Sequence, residues 1–395
     1  KMKKKLFTIA LALCMVFTMI PGGVLQPNVA WAAEHTSHCV CGGSRAIGDH
    51  TEHTDITDWK EWTETTCLPN EAGSYYLAQN VEISEAWEPA SGTVLCLNGK
   101  NITANDSFDA IDVQASVTFT LTDCEPNSTR GNITHAKDSN NAALSGSGVS
   151  VEAGAVFNMY GGNITGNEVT IGGSGVSVKA GAAFNMYGGS ITKNIALNTM
   201  GKGGGVNNYG IFTMTGGTIS GNQGGTVNGG GGGGVLNAGT FTMSGTAVIG
   251  GTNAEDANIG YDGGGVYNYN TGQFNFNGGT IIGNEANRNG GGVYNEQGSP
   301  TFTMTGGIIK KNKAKNGGGV AVNNSANFTM NGGTIGDTNS NDGNTVTNEG
   351  GGVCVLSGIF NMNTGNIIGN TAVGSVADEY RGWGTTAVAG FIGHC

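Results

Sequence analysis

The sequence predicts an all-β protein: a right-handed parallel β-helix, or solenoid, of about ten coils with a small Cys/His-rich leader at its N-terminal end. Three features carry this prediction: the glycine content, a recurring unit of about 30 residues, and apolar residues at fixed places in that unit. Glycine supplies 73 of the 395 residues, more than twice its usual share of about 7%. The glycines do not occupy every third position, which excludes a collagen triple helix.

The recurring unit fills residues 145–372 in eight copies. Its clearest copies read Gly-Gly-Gly-Val, then Phe-Thr-Met-Thr-Gly-Gly-Thr-Ile, then Gly-Asn. Phe and Met stand two residues apart and therefore share one face of a strand, whereas the glycine pairs and runs favour bends. Each unit thus predicts three short strands separated by corners. One unit cannot bury its own apolar face, so the copies are expected to stack, with right-handed parallel crossovers between them.

Stacking is expected to place like residues above one another as internal ladders. The Val positions are Val149, Val176, Val206, Val235, Val266, Val293, Val320 and Val353. The Phe positions are Phe157, Phe184, Phe212, Phe241, Phe274, Phe302, Phe328 and Phe360, with Met, or Phe276 in one copy, two residues later. The Ile positions are Ile164, Ile191, Ile219, Val248, Ile281, Ile309, Ile335 and Ile367. The Met ladder is predicted to be core packing and not a ligand track. A structural role is also predicted for Asn167, Asn194, Asn222, Asn284, Asn312 and Asn370.

The same spacing extends upstream of the repeats. Leu95 and Leu97 take the Phe and Met positions of an earlier coil, which sets Leu97 level with Leu121 of the next coil. In that register Cys96 and Cys124 are offset by four residues along adjacent coils. We expect this offset to exceed the separation that a disulfide bond allows.

The N-terminal 32 residues predict a secretion signal. Four of the first five residues are Lys, an uncharged run fills residues 6–20, and Ala30-Trp31-Ala32 has the small-x-small form of a cleavage site. The protein is therefore expected to be secreted or displayed on the cell surface. The predicted organisation is a signal peptide (1–32), a Cys/His-rich leader or cap (33–72), N-terminal coils (73–144), eight Gly-rich repeats (145–372) and an irregular tail (373–395) that we interpret as the end of a truncated piece.

The charge of the chain argues against nucleic acid as a partner, and its short apolar runs argue against the membrane interior. The formal net charge is -11, and only 12% of residues are charged. Such a chain lacks the basic footprint of a nucleic-acid-binding protein. No apolar run after the signal is long enough to span a bilayer, so no membrane insertion is expected once the signal is removed. We expect a monomer.

A compact Cys/His segment is the one candidate metal site. Cys39, Cys41, His50 and His53 supply two thiolates and two imidazoles, the ligand set of a tetrahedral structural zinc site. The alternatives are a segment without structure of its own or disulfide bonds to Cys67. No cofactor is expected to be required. Calcium is disfavoured at Asp337-x-Asn339-x-Asn341-Asp342-Gly343, because this stretch carries one residue too many before its Gly for a calcium loop.

Two pairs of tyrosines are the candidate ligand-binding residues. Tyr160 and Tyr187 share one position of the repeat, and Tyr267 and Tyr294 share another. Stacked on the outer face, each pair would form an aromatic strip able to lie against a sugar ring. The alternative is an outer-face ladder with no ligand.

The repeat unit resembles those of right-handed parallel β-helix surface proteins of the pectin-lyase-like superfamily, and similar units occur in bacterial adhesins and autotransporter passengers. The stretch Leu95-Cys96-Leu97-Asn98-Gly99-Lys100-Asn101-Ile102-Thr103 looks like the opening coil of large exported proteins of gut Firmicutes. The resemblance implies the fold over about residues 34–372. It leaves the activity open, because the superfamily holds lyases, hydrolases, adhesins and capsid spikes.

The superfamily resemblance also allows an enzyme to be considered. The Asn-x-Asp, Asp-Asp, Gly-His-Gly and Arg-x-Lys set of polygalacturonase-like members is absent. Superfamily lyases use an Arg or Lys base, and the basic candidates here are Arg288, Lys310, Lys311, Lys313 and Lys315. We predict no catalytic residue. The predicted function is adhesion to a glycan or host-surface ligand. The alternatives are a polysaccharide lyase or glycoside hydrolase, and a structural stalk that displays a further domain.

Overall fold

The computed structural model describes residues 58–125, 129–138, 144–169, 175–196, 203–225, 231–372 and 392–394. The chain is all-β and forms a parallel β-solenoid of about nine turns, close to the ten expected. The turns contribute strands to as many as four stacks, which run along the solenoid axis and are named here the Val, Phe, Ile and short stacks. The right-handed winding stays a prediction.

The strands pair only with their counterparts in neighbouring coils, in parallel and mostly without a register shift. The Val stack contains Ile111–Val113, Val149–Val151, Val176–Val178, Val206–Asn208, Val235–Asn237, Val266–Tyr269, Val293–Glu296, Val320–Val322, Val353–Val355 and Ile392–His394. The Phe stack contains Trp59–Trp62, Ser74–Leu77, Thr93–Cys96, Thr118–Thr122, Val156–Met159, Ala183–Met186, Ile211–Met214, Thr240–Met243, Gln273–Phe276 and Thr301–Met304.

The Ile stack follows the Phe stack after each Gly-Gly bend. It contains Val81–Ile83, Ile102–Ala104, Asn132–His135, Asn163–Thr165, Ser190–Thr192, Thr218–Ser220, Val248–Gly250, Thr280–Ile282 and Ile308–Lys310. In the last two coils, single strands run through both stacks, Asn327–Gly336 and Ile359–Ile368. The short stack contains Glu168–Val169, Ile195–Ala196, Ile259–Gly260, Glu285–Ala286, Lys313–Ala314, Thr345–Val346 and Thr371–Ala372. Two 3-10 helices, Ala254–Asp256 and Ser340–Asp342, lie in connections.

The core is built from the predicted ladders. Phe157 pairs with Phe184, and the register continues coil by coil to Phe360. Neighbouring rings lie nearly parallel, with centroids 4.4 to 5.6 Å apart. The Met ladder is also buried, except for Met362 in the last coil, which is 36% exposed. Its predicted role in core packing is thus confirmed for the inner coils.

The buried Asn ladder is longer than the sequence indicated. Each member donates its side-chain amide to the Oδ1 atom of the next, from Asn167 to Asn370. Asn258 and Asn344 belong to it, although the preceding 3-10 helices displace them from the usual spacing. A second buried ladder of Asn208, Asn237, Asn268 and Asn295 lies at the end of the Val strands. Both ladders satisfy polar groups that burial would otherwise leave unpaired.

The glycine before each Val is required by close packing. A Cβ atom on Gly292 would lie 2.6 Å from the carbonyl oxygen of Gly319 and 2.7 Å from Cγ2 of Ile309. Only glycine fits at this position, where the chain passes from the short stack into the Val stack.

Two details of the predicted register are wrong. In the fourth repeat the Ile position is filled by Ile249, which pairs with Ile219 and Ile281, because this copy has one extra residue after Met243. Val248 consequently points outward. In the first coils, Leu95 and not Leu97 pairs with Leu121.

The leader contributes to the N-terminal end of the solenoid. Trp59–Trp62 pairs in parallel with Ser74–Leu77, one strand before the predicted start of the coils. The Trp62 ring packs edge-to-face against Tyr75, with centroids 5.8 Å apart. This part of the leader therefore covers an otherwise open strand edge.

Candidate functional site

A groove on the outer face of the Ile stack is the candidate functional site. Its volume is about 480 Å³, and it crosses the four coils that contribute Thr218, Val248, Thr280 and Lys310. The inner residue of each strand, such as Ile281, is fully buried in the core. Because successive side chains alternate between faces, the residues on either side of it point outward and line the groove. At about 4.8 Å per coil, the groove extends about 14 Å along the solenoid axis.

The depth of the groove comes from a glycine. Gly250 stands level with Ile282, which in turn stands level with Lys310. It has a φ of 93°, and a Cβ atom there would lie 1.9 Å from the carbonyl oxygen of Ile282. A side chain is therefore excluded at this point, and the row of outward side chains is interrupted.

The hydroxyl groups of the groove are available for a ligand. Upstream in the same stack, Asn163 donates to Asn132, Ser190 donates to Asn163, and Thr192 donates to Thr165, so these outward side chains satisfy one another. The hydroxyls that line the groove belong to Thr218, Ser220, Thr252 and Thr280. They make no hydrogen bond with another residue in the part of the chain that the structure describes.

One wall of the groove is an inserted connection after Val248–Gly250. It contains the 3-10 helix Ala254–Asp256, and Asn253 donates its side-chain amide to Asp256 at 2.9 Å. A Cβ atom on Gly251 would lie 2.4 Å from Cβ of Asp256, so the helix lies directly over the glycine. The wall is held by its own capping contacts and carries a carboxylate to the groove.

The far end of the groove carries an ion pair. Lys310 Nζ lies 2.7 Å from Asp337 Oδ2, and this contact lowers the pKa of Asp337 to about 2. Lys311 makes a second pair with Asp342 at 2.7 Å. Both carboxylates belong to the stretch that was considered for calcium, and each is balanced by a lysine.

The first tyrosine pair lies in the two coils that precede the groove. The rings of Tyr160 and Tyr187 stack with centroids 4.5 Å apart and planes at 22°. Tyr187 is 43% exposed, and its coil directly precedes the coil of Thr218. Partial burial, followed by the charge of Tyr187, raises the pKa of Tyr160. The stacked rings therefore lie at the bend between the Phe and Ile stacks, one coil before the N-terminal end of the groove.

The second tyrosine pair is stacked but enclosed. The rings of Tyr267 and Tyr294 have centroids 5.4 Å apart, and the two residues are 6% and 0% exposed. Tyr267 donates to Glu296 at 2.8 Å, and Tyr294 accepts from Asn323 at 3.1 Å. Burial raises the pKa of both phenols. Because their ring faces are covered, Tyr267 and Tyr294 present no surface to a sugar ring, and Tyr160 and Tyr187 are the remaining candidates.

Three of the five basic residues named above for a lyase, Arg288, Lys310 and Lys311, are engaged in ion pairs. Arg288 donates through Nε to Asp262 at 3.0 Å, and its Nη2 atom contacts the second carboxylate oxygen. Asp262 is 2% exposed, and the guanidinium lies 5.0 Å from the centre of the Tyr261 ring. These contacts raise the pKa of Arg288, the hydrogen bond to Asp262 being the largest cause. The guanidinium is held by the fold and does not face the groove lining.

The predicted zinc ligands Cys39, Cys41, His50 and His53 lie outside the described residues, as does the predicted signal peptide. Within the described ranges, no group of three or more His, Cys, Asp or Glu side chains is placed to hold a metal ion. No helix in the same ranges has the length and apolar character that a membrane crossing requires.

Sequence reasoning did not identify the groove. Its lining hydroxyls occupy ordinary outward positions of the repeat, and only the irregular fourth copy, Ser244-Gly245-Thr246-Ala247-Val248, marked the place. That irregularity turns Val248 outward and precedes the wall helix.

A comparison with protein-family models, with curated proteins and with solved structures finds no match for this chain.

Proposed function

We propose that the protein is a secreted or cell-surface-displayed solenoid that binds an extended glycan along its outer face. The observation that carries this proposal is the groove itself, which is lined by four hydroxyls without a hydrogen-bond partner among the described residues and by the apolar side chains of Val248 and Ile282. Sugars carry hydroxyls around the edges of rings whose faces present apolar C–H groups, so a surface with both kinds of group complements them. The extended shape suits a polymer more than a small metabolite.

The tyrosine strip supports the same proposal. Tyr160 and Tyr187 offer a flat aromatic surface one coil before the groove. Aromatic faces pack against the C–H groups of sugar rings, and the phenol hydroxyls remain available for hydrogen bonds. A glycan lying along the axis would meet the strip first and the hydroxyl groove next. Several weak contacts of this kind add up to useful affinity when one polymer engages them together.

The proposal can be tested with a pair of matched variants. Thr280 points into the groove, whereas Thr303 points outward from the neighbouring Phe stack. We expect Thr280→Trp to fill the groove and weaken binding at least tenfold against a panel of pectic, uronic and host-type glycans. Thr303→Trp should bind as the unaltered protein does. Equal binding by all three proteins would contradict the groove assignment.

A polysaccharide lyase or hydrolase of the pectin-lyase-like superfamily is the second candidate, and one observation favours it: Lys310 and Asp256 both line the groove. Hydrolysis requires two carboxyl groups facing one bond, and a lyase requires an unpaired base. Lys310 is instead paired with Asp337. Counting new reducing or unsaturated ends in the same glycan panel, with and without calcium, separates the two functions. If the protein turns over a glycan and the Lys310→Met variant does not, the proposed function would be catalysis and not binding alone.

Zinc in the leader remains part of the proposal. Cys39, Cys41, His50 and His53 would hold it, with a role in folding a small cap. Metal analysis of the full chain after dialysis should find one zinc per chain. This zinc should be absent from a variant with Cys39 and Cys41 replaced by Ser. Glycan binding that survives in the zinc-free variant would confirm that the cap and the groove act separately.

A further inference from the structure

Two cysteines of the first coils meet in a small buried cluster that is separate from the main core of the solenoid. Cys96 ends the strand Thr93–Cys96, and Cys124 follows the strand Thr118–Thr122 of the next coil. Cys96 pairs with Thr122, so the two cysteines are offset by two residues and not by four, as the sequence had suggested. The Cys96 thiol donates to the sulfur of Cys124 over 3.5 Å.

The surroundings of the pair are closed, and among the described residues no third side chain joins it to form a metal site. Cys96 and Cys124 are 0% and 1% exposed, and Trp59 and Tyr76 pack against them. The nearby Asp123 carboxylate accepts backbone hydrogen bonds from Gly99, Glu125 and Gly131. Burial, together with the hydrogen bond between the two thiols, raises the pKa of the Cys96 thiol. A buried thiol whose pKa is raised is a poor metal ligand, because metals bind the thiolate.

We infer that Cys96 and Cys124 form an intrachain disulfide bond in the exported protein, which ties the first coils of the solenoid together. The sulfur atoms need to approach by about 1.5 Å to reach bonding distance, a movement within the range of side-chain rotation on neighbouring strands. The chain already contains a disulfide-bonded cysteine, Cys354. Disulfides are typical of exported proteins, and export is predicted from the N-terminal sequence.

The bond requires an oxidant, which is the disulfide of an oxidoreductase or of a small-molecule thiol outside the cytoplasm. One cysteine thiolate attacks this disulfide, forms a mixed disulfide and releases one thiol. The second cysteine then attacks the mixed disulfide, which releases the second thiol and leaves the Cys96–Cys124 bond. The protein loses two electrons and two protons, and the oxidant gains them. Because both sulfurs are buried after folding, the exchange is expected to take place before the coils close.

The experiment uses the full chain, produced with its own predicted signal peptide in an exporting bacterial host. The protein is unfolded in guanidinium chloride with excess N-ethylmaleimide, digested without reductant and analysed by mass spectrometry. Besides the cross-link that contains Cys354, we expect a cross-linked species that joins the peptides of Cys96 and Cys124 and is two hydrogen masses lighter than the separate peptides. Cys67, which is exposed and free, should be alkylated and serves as the internal control.

Variants distinguish this pairing from other arrangements. The cross-link should disappear in Cys96→Ser and in Cys124→Ser, and it should persist in Cys67→Ser. Three results would overturn the inference. These are alkylation of both cysteines without reductant, alkylation of both only after a chelator is added, and a cross-link of Cys96 or Cys124 to a different cysteine. In a second measurement, the protein is made in a reducing cytoplasm, and the rate at which oxidised glutathione oxidises its thiols is followed. The unfolded chain should react at least tenfold faster than the folded chain. The pair lies in the first coils, away from the groove, so a failure of glycan binding leaves this test unaffected.

Discussion

Replacing Phe302 by Ala removes one ring from the centre of the Phe ladder. Phe302 is 1% exposed, and its ring stacks on Phe274 at 4.9 Å and on Phe328 at 4.4 Å. Truncation of a buried Phe costs about 3–5 kcal/mol of unfolding free energy, and each lost ring pair adds about 0.5–1.5 kcal/mol beyond burial. The neighbouring rings are held in register by strand pairing on both sides and cannot collapse into the gap. We therefore expect a loss near the top of the range, about 5 kcal/mol.

The loss is measured by urea denaturation followed by circular dichroism, with hydrogen exchange of the coils as a local readout. Ile308→Ala is the matched control, because Ile308 belongs to the same coil but is 39% exposed. It should change the unfolding free energy by only about 0.5 kcal/mol. A loss below about 1 kcal/mol in Phe302→Ala, or equal losses in the two variants, would refute the ladder as the source of stability.

Three further predictions concern polar groups. Asn284→Ala removes four buried side-chain hydrogen bonds and should cost about 3–5 kcal/mol in the same urea assay; a loss below about 1 kcal/mol would show that the Asn ladder is dispensable. Burial, helped by three neighbouring carboxylates, raises the pKa of Asp112 to about 6, so the folded protein loses stability as pH rises from about 4 to 6. Asp112→Asn should therefore match the unaltered protein at pH 4 and exceed it above pH 6, by at most about 1 kcal/mol because the carboxylate is partly hydrated; an equal difference at both pH values would contradict this. Reduction of the Cys96–Cys124 bond should cost about 3–4 kcal/mol for cysteines 28 residues apart, and reductant should destabilise the unaltered protein by this much more than the double Ala variant, which keeps the Cys354 bond; an equal effect of reductant on the two proteins would place the bond elsewhere.

The sequence was sufficient to predict the solenoid because its periodicity is a direct consequence of the coil. A residue such as Phe184 pairs with Phe157 and Phe212, so one spacing rule places the whole ladder. The errors arose where the spacing changes. Ile249, and not the predicted Val248, occupies the inward Ile position, because one inserted residue shifts the strand by one position and exchanges its faces.

The candidate site was less accessible to sequence reasoning, since it depends on contacts between coils. Tyr267 and Tyr294 follow the same outward pattern as Tyr160 and Tyr187, but neighbouring side chains and hydrogen bonds enclose only the former pair. The two sulfurs of Cys96 and Cys124 meet because the first coils pair two residues away from the register that the repeats suggest. Such differences are small along the chain and large in space.

The most direct test of the proposed function is the dependence of affinity on glycan length. The groove crosses four coils, and the tyrosine strip precedes it by one coil. Calorimetric titration with a graded series from monosaccharide to long oligosaccharide, using the best ligand of the panel, should show affinity that rises until the chain spans strip and groove. In Thr280→Trp this rise should be lost, while Thr303→Trp retains it. A length-independent affinity, or an identical rise in Thr280→Trp, would contradict binding along the groove.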